Sequence, residues 1–265
     1  MRIVTHTCSN TEIVCALGLG DQIVGTDDHS DYPPEIVRET ARIGPDQEID
    51  VERVAALKPD LVITSLTIPG HEQCVARLQQ AGLPMLVVEP TRLEHVPRDI
   101  RVIADALGVP DRGEALARRF EAALVAAPVA SPRPRVLVEW WPKPVIVPGR
   151  DSWVTQLLDL AGGINPWSEL DAKSGPVEDA EVLAAAPDAV VISWCGVPFE
   201  KYRPEVVRRR DAWQGLRAIE RDRIYCVTEA WLGRPGPRLI EGLAALKSIV
   251  AHCVDETPVQ RRFGC

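Results

Sequence analysis

The chain has 265 residues, 26% of them charged and 46% hydrophobic, with a net charge of −8 at pH 7. That acidic balance excludes electrostatic attraction to nucleic acid or an anionic membrane, and no apolar run approaches the ~20 residues needed to span a bilayer. The length suits one large domain or two lobes of roughly 100–130 residues.

Arg2-Ile3-Val4-Thr5 reads as a first strand. Ser9 or Asn10 then caps a helix, with Glu12 completing an S-x-x-E capping box, and Gly18 and Gly20 close it. Gln22–Thr26 is the next strand, and Tyr32-Pro33-Pro34 opens a short turn or helix. Asp50 caps a helix over 51–57, Lys58-Pro59 stops it, and Leu61–Thr64 is a buried strand. A helix over 71–81 and a strand over Met85–Val88 follow. Strands alternating with helices predict a mainly parallel sheet, which takes ligands at the carboxyl ends of its strands.

Residues 95–127 carry apolar positions at helical spacing, broken at Gly108-Val109-Pro110, and the second part reads as one long helix. Val136–Val138 starts a new strand, and the earlier pattern returns: KPDLVITS (58–65) matches APDAVVIS (186–193) at an offset of 128. The expectation is α/β, two Rossmann-like lobes joined by a single long backbone helix. The lobes would cover 1–95 and 131–265, with the connecting segment over 96–130.

Catalytic signatures are scarce. There is no GxSxG elbow, HExxH pair or GxxxxGK[ST] loop, so an enzyme is not expected. The histidines are scattered, and the polar cluster Asp27-Asp28-His29-Ser30-Asp31 reads as a strand-end loop in preference to a metal site. The aromatics are more telling: apart from Tyr32, all Phe, Trp and Tyr lie at or after Phe120. Trp140, Trp141, Trp194 and Trp231 each follow a strand, where a mouth should be, and suit a broad, flat, partly apolar ligand. Polar residues at strand ends or helix starts (Ser9, Asn10, Thr64, Ser65, Ser193, Glu229) would set its orientation.

The run SNTEIVCALGLGDQIVG, then SDYPPE, then LKPDLVI resembles the cobalamin-binding proteins that serve ABC importers, within the class of solute-binding proteins with a helical backbone. The resemblance extends through Gly162, Gly163 and Asn165 to Pro237-Arg238. It implies a non-catalytic protein with no intrinsic cofactor, clasping cobalamin or a related corrinoid between two lobes, with an ABC importer permease as partner. It also implies Tyr32 against the ligand and aromatic positions at Trp140 and Trp231. His29 or Cys8 could ligate a metal centre of the ligand. The class docks its transporter through one surface glutamate per lobe. Glu52 matches the first, whereas the second falls on Ala180, leaving its neighbour Glu181 to supply the charge. The sequence also departs at Ile43-Gly44-Pro45-Asp46, where cobalamin binders place a tryptophan, a gap that Trp194 could fill.

A corrin face of a few hundred Å² at ~25 cal/mol per Å² supplies a gross ~8–10 kcal/mol before association costs. Two other ligands fit the class: haem, favouring His29 or a tyrosine, and an anionic siderophore, favouring Arg42, Arg150 or Arg234. A cytosolic corrinoid-handling enzyme or sensor is the further alternative. The chain shows no basic-then-apolar leader, and its seven cysteines form no C-x-x-C pair. The expected location is therefore cytoplasmic, or periplasmic if a leader was trimmed. Nothing demands more than a monomer.

Overall fold

The computed structural model describes residues 1–264, which divide into two units. Unit 1 comprises residues 1–90, 94–122 and 235–237; unit 2 comprises 91–93, 123–234 and 238–264.

Unit 1 runs β1 (Ile3–Thr5), α1 (Cys8–Ala16), β2 (Ile23–Thr26), α2 (Pro34–Val37), β3 (Ala41–Arg42), α3 (Val51–Ala56), β4 (Leu61–Ser65), α4 (His71–Gln80), β5 (Met85–Val88), α5 (His95–Ala106) and α6 (Pro110–Ala123). Its five strands lie in the order β3-β2-β1-β4-β5, every pairing parallel. Val4, Ile43, Val54, Val62, Cys74 and Leu78 form a buried apolar cluster beneath the sheet. The helical segment expected as a connector packs, up to Ala122, with unit 1 and consists of two helices. Gly113 of α6 makes the crossing close, since a Cβ there would sit 2.3 Å from Ala104 Cβ of α5.

Unit 2 runs β6 (Val136–Glu139), β7 (Trp141–Pro142), β8 (Val145–Pro148), α7 (Trp153–Leu160), β9 (Ser174–Val177), α8 (Asp179–Ala185), β10 (Ala189–Ile192), α9 (Pro204–Arg208), α10 (Arg217–Glu220), β11 (Ile224–Val227), α11 (Glu229–Leu232), α12 (Leu239–Asp255) and β12 (Arg262–Phe263). β12-β11-β10-β6 form a parallel sheet. β7-β8-β9 form a small antiparallel sheet that the sequence reading did not anticipate.

The repeat is visible in atomic detail. Lys58 (φ 48°) and Ala186 (φ 45°) both follow a helix in the left-handed region, each directly ahead of a proline that cannot continue the helix. Asp50 caps α3 as expected, accepting from Arg53 N at 2.9 Å. The box expected at Ser9 and Glu12 is not formed. α1 begins at Cys8 after Thr7, whose φ of 81° is held by a hydrogen bond from its N–H to Asp27 Oδ2 (3.1 Å). The capping box occurs instead at Glu178 and Glu181.

Candidate functional site

On unit 1, the carboxyl ends of β1, β2, β3 and β4 carry a polar rim. Asp27 organises the connection after β2. Its buried carboxylate accepts from Thr7 N, His29 N (2.9 Å), Ser30 N and Ser30 Oγ (2.7 Å). Arg42 adds bonds from Nη1 to the carbonyls of Asp27 and Ser30, both at 2.8 Å. The acidic run 27–31 is thus a tightly braced loop, and it leaves Tyr32 42% exposed.

Three histidines meet Asp46, in the connection after β3. Buried His6 donates from Nε2 to the Asp46 carbonyl (2.6 Å), and its Nδ1 shares a hydrogen bond with Thr64 Oγ1 (2.7 Å). Burial pushes its pKa down, partly offset by the hydrogen bond to Asp46. His29 Nε2 stands 3.6 Å from Asp46 Oδ1, and His71 Nε2 3.7 Å from Oδ2. Burial alone would raise the Asp46 carboxyl, but the imidazoles of His71, His29 and His6 outweigh it and hold it below the usual carboxylate range. Among the described residues, no group of three or more His, Cys, Asp or Glu is arranged to hold a metal ion.

The other expected polar residues of unit 1 make hydrogen bonds within it. Asn10 Nδ2 donates to the His6 carbonyl (2.8 Å), Ser9 Oγ shares a hydrogen bond with Thr7 Oγ1, and Ser65 Oγ shares one with Thr67 Oγ1. All three side chains are buried. They brace the rim. Cys8 Sγ likewise donates to the His29 carbonyl (3.1 Å).

On unit 2, β6 ends in Glu139, whose carboxylate is fully buried and bound by Arg210 (2.5 and 3.1 Å) and by the indole N–H of Trp194 (2.8 Å). Burial pushes its pKa up, against the pull of Arg210 and Trp194. Trp194 is 6% exposed and packs in the core with its ring 5.6 Å from Tyr202. Its indole N–H and its ring are thus both engaged within unit 2. Trp140 is also buried, whereas its neighbour Trp141, in β7, is 44% exposed. Trp231 is half-buried in α11, which lies against α12 at Gly242, where a Cβ would stand 2.2 Å from the Trp231 carbonyl. Ser193 Oγ is buried without a hydrogen-bond partner.

Of the two glutamates expected to dock a transporter, Glu52 is exposed in the first turn of α3. Glu181 is exposed but accepts from Glu178 N at 2.8 Å. Its neighbour Asp179 accepts from Trp213 Nε1 at 2.7 Å.

The residues that organise both rims were mostly missed. His6, Asp46 and His71 come from three separate connections, so no local spacing announces them. Glu139 did leave a signal: a lone acid ending the apolar strand VLVE, with paired tryptophans next.

A family profile described as periplasmic binding protein matches residues 3–230. YvrC, an ABC transporter substrate-binding lipoprotein of Bacillus subtilis (strain 168), is 29% identical over 256 residues, covering 92% of this chain and 78% of that protein. A vitamin B12-binding protein of Vibrio cholerae is 28% identical over 248 residues, covering 91% and 86%. Among solved structures, the periplasmic heme-binding protein RhuT from Roseiflexus sp. RS-1, in apo form, is similar with a TM-score of 0.80 at 28% identity, covering 95% of this chain and 98% of that one. The vitamin B12-binding protein BtuF of Vibrio cholerae shares the fold, with a TM-score of 0.78 at 24% identity and coverage of 96% and 98%. Among the described residues no helix is long and apolar enough to cross a membrane. The chain belongs to the periplasmic binding protein family and is a non-catalytic solute-binding protein of the ABC-transporter type.

Proposed function

We propose that the solute is a corrinoid, cobalamin or a close relative, carried for an ABC importer. The observation that carries this reading is the pair of exposed aromatics. Tyr32, in the connection after β2 of unit 1, and Trp141, in β7 shortly after β6 of unit 2, are both more than 40% exposed. An exposed ring beside buried polar bracing gives a flat apolar platform of fixed orientation. The vitamin B12-binding relatives support the corrinoid assignment. A location outside the cytoplasm follows from the same reading, supported by a lipoprotein relative; cell fractionation that recovers the protein only with cytosolic markers would refute it.

Haem is the second reading, favoured by half-exposed His29 three residues before Tyr32 and by the heme-binding neighbour. Parallel titrations separate the two. A corrinoid site gives saturable quenching of Trp emission and a raised melting temperature with cyanocobalamin. A haem site instead gives a Soret shift with hemin that is lost in H29A or Y32F. Cyanocobalamin at ~100 μM leaving emission and melting unchanged would sink the corrinoid assignment, because ligand at many times its Kd must stabilise the folded state.

A further inference from the structure

The Asp46 carboxylate has a distinctive arrangement. Each oxygen faces a different imidazole, His29 Nε2 at 3.6 Å from Oδ1 and His71 Nε2 at 3.7 Å from Oδ2. Both distances fall just outside hydrogen bonding. His71 is 1% exposed and its Nε2 has no hydrogen-bond partner, a costly state for a buried nitrogen. We propose that His29, Asp46 and His71 form a proton-operated latch on the rim of unit 1, fastening the connection that carries Tyr32 to the one that carries Asp46.

A charge-assisted N–H···O bond closes to about 2.7–2.9 Å, so uptake of a proton by an imidazole draws it inward by roughly 0.8 Å. The post of the latch is fixed. The Asp46 carbonyl is held by His6 Nε2 (2.6 Å) and accepts from Cys74 Sγ of α4 (3.6 Å). The arm is the half-exposed His29, whose connection moves as a piece because Asp27 and Arg42 brace it from within. His71, at the start of α4, has Nδ1 3.5 Å from Thr67 Oγ1 and lies edge-on to His6 with ring centres 4.8 Å apart.

The titratable groups facing Asp46 are His6 after β1, His29 after β2, and His71 and Cys74 on α4; Asp27, at the end of β2, faces His6. Burial disfavours the charged ring of His6, so the latch assigns the proton to the His29 and His71 imidazoles. Histidine is the side chain whose ordinary charge change falls between about pH 5 and 8. The effect on solute binding rests on the function proposed above, whereas the latch itself can be read without solute.

The test is fluorine NMR of the full chain labelled with fluorotyrosine. Its three tyrosines give three signals, of which Tyr202 and Tyr225 lie buried in unit 2 and serve as controls. The latch predicts that the Tyr32 signal moves in one step between about pH 8 and pH 5 and stays flat in D46N and in H29Q. H29Q alters an exposed side chain, so it guards against misfolding of D46N. A flat Tyr32 signal in the unaltered protein, or a step that persists in D46N, overturns the proposal. So does a Tyr32 shift at pH 8 on adding one equivalent of zinc, which would make the cluster a metal site. With cyanocobalamin, affinity at pH 5.5 should exceed that at pH 8 by about two- to fivefold, the worth of a partly exposed ion pair, with no difference in D46N. Binding that does not depend on pH would overturn the latch's hold on the rim. If cyanocobalamin does not bind at all, the solute assignment falls and the tyrosine signal alone decides the latch.

Discussion

Glu139 and Arg210, 71 residues apart in sequence, form a two-pronged ion pair with N–O distances of 2.5 and 3.1 Å around a carboxylate that has no exposed surface. Trp194 supplies a further hydrogen bond, and Arg210 lies over the Trp213 ring at 4.2 Å. The network ties three stretches of unit 2 together just behind Trp140 and Trp141. Removing one partner of a buried pair strands the other's charge. R210M is therefore expected to cost about 3–5 kcal/mol in urea unfolding, and W194F about 1–3 kcal/mol through the lost indole donor. A loss under 0.5 kcal/mol for both would show that the pair adds nothing to stability.

Acid should weaken unit 1 through His6. Its folded pKa lies below the ordinary value of 6.5 because burial disfavours the charged ring. The unfolded chain thus takes up a proton near pH 6.5 that the folded chain refuses. Stability tied to His6 is complete above that pH and falls as pH drops toward the lowered folded value, by at most ~1.4 kcal/mol per pH unit. The difference in unfolding free energy between the unaltered protein and H6Q should shrink from pH 7.5 to pH 5. Asp46 acts at lower pH, since its depressed carboxyl favours folding above its ordinary 3.8 and loses that contribution as pH falls through the folded value. A wild-type minus H6Q difference that is constant across this range would contradict the His6 assignment.

Arg2 and Arg135 repeat one another at the first strand of each unit. The N–H of Arg2 donates to Asp60 Oδ2 (2.6 Å) and its Nε to the Leu57 carbonyl (2.8 Å). Arg135 does the same with Asp188 (2.9 Å) and Ala185 (2.5 Å), each partner displaced by 128 residues. Asp188 also binds Arg217 and is less exposed than Asp60. D60A should cost about 0.5–1.5 kcal/mol and D188A about 1–3 kcal/mol. Equal losses would mean that the Arg217 contact adds nothing.

This repeat was legible because KPDLVITS and APDAVVIS keep their turn prolines, aspartates and apolar strands in step. Alternation of strand and helix likewise gave both parallel sheets. The antiparallel sheet stayed hidden because Trp141-Pro142 is too short to show a period and SGPV at 174–177 lacks one. Ser9 and Glu12 fit a capping pattern, yet Asp27 holds the chain at Thr7 and the helix starts two residues earlier than that pattern predicts. Position after a strand could not separate Trp141 from Trp194. Burial of Trp194 depends on Glu139, 55 residues away.

The docking residues should separate by function and stability. E52A removes an exposed carboxylate and should change stability by less than ~0.5 kcal/mol, whereas E181A breaks a capping box and should cost about 0.5–2 kcal/mol. If both glutamates meet the permease, each variant slows solute uptake by reconstituted transporter at unchanged solute affinity. Normal uptake with E52A would remove the docking assignment of α3.

The most direct test of the central claim is calorimetric titration with cyanocobalamin of the unaltered protein, of Y32A and W141A, and of W194F as a control. The account predicts one-to-one binding with a Kd below ~10 μM, equivalent to more than ~7 kcal/mol. It also predicts a loss of tenfold or more in Y32A and in W141A, and little change in W194F. Affinity untouched by both Y32A and W141A, or no binding at all, would contradict it.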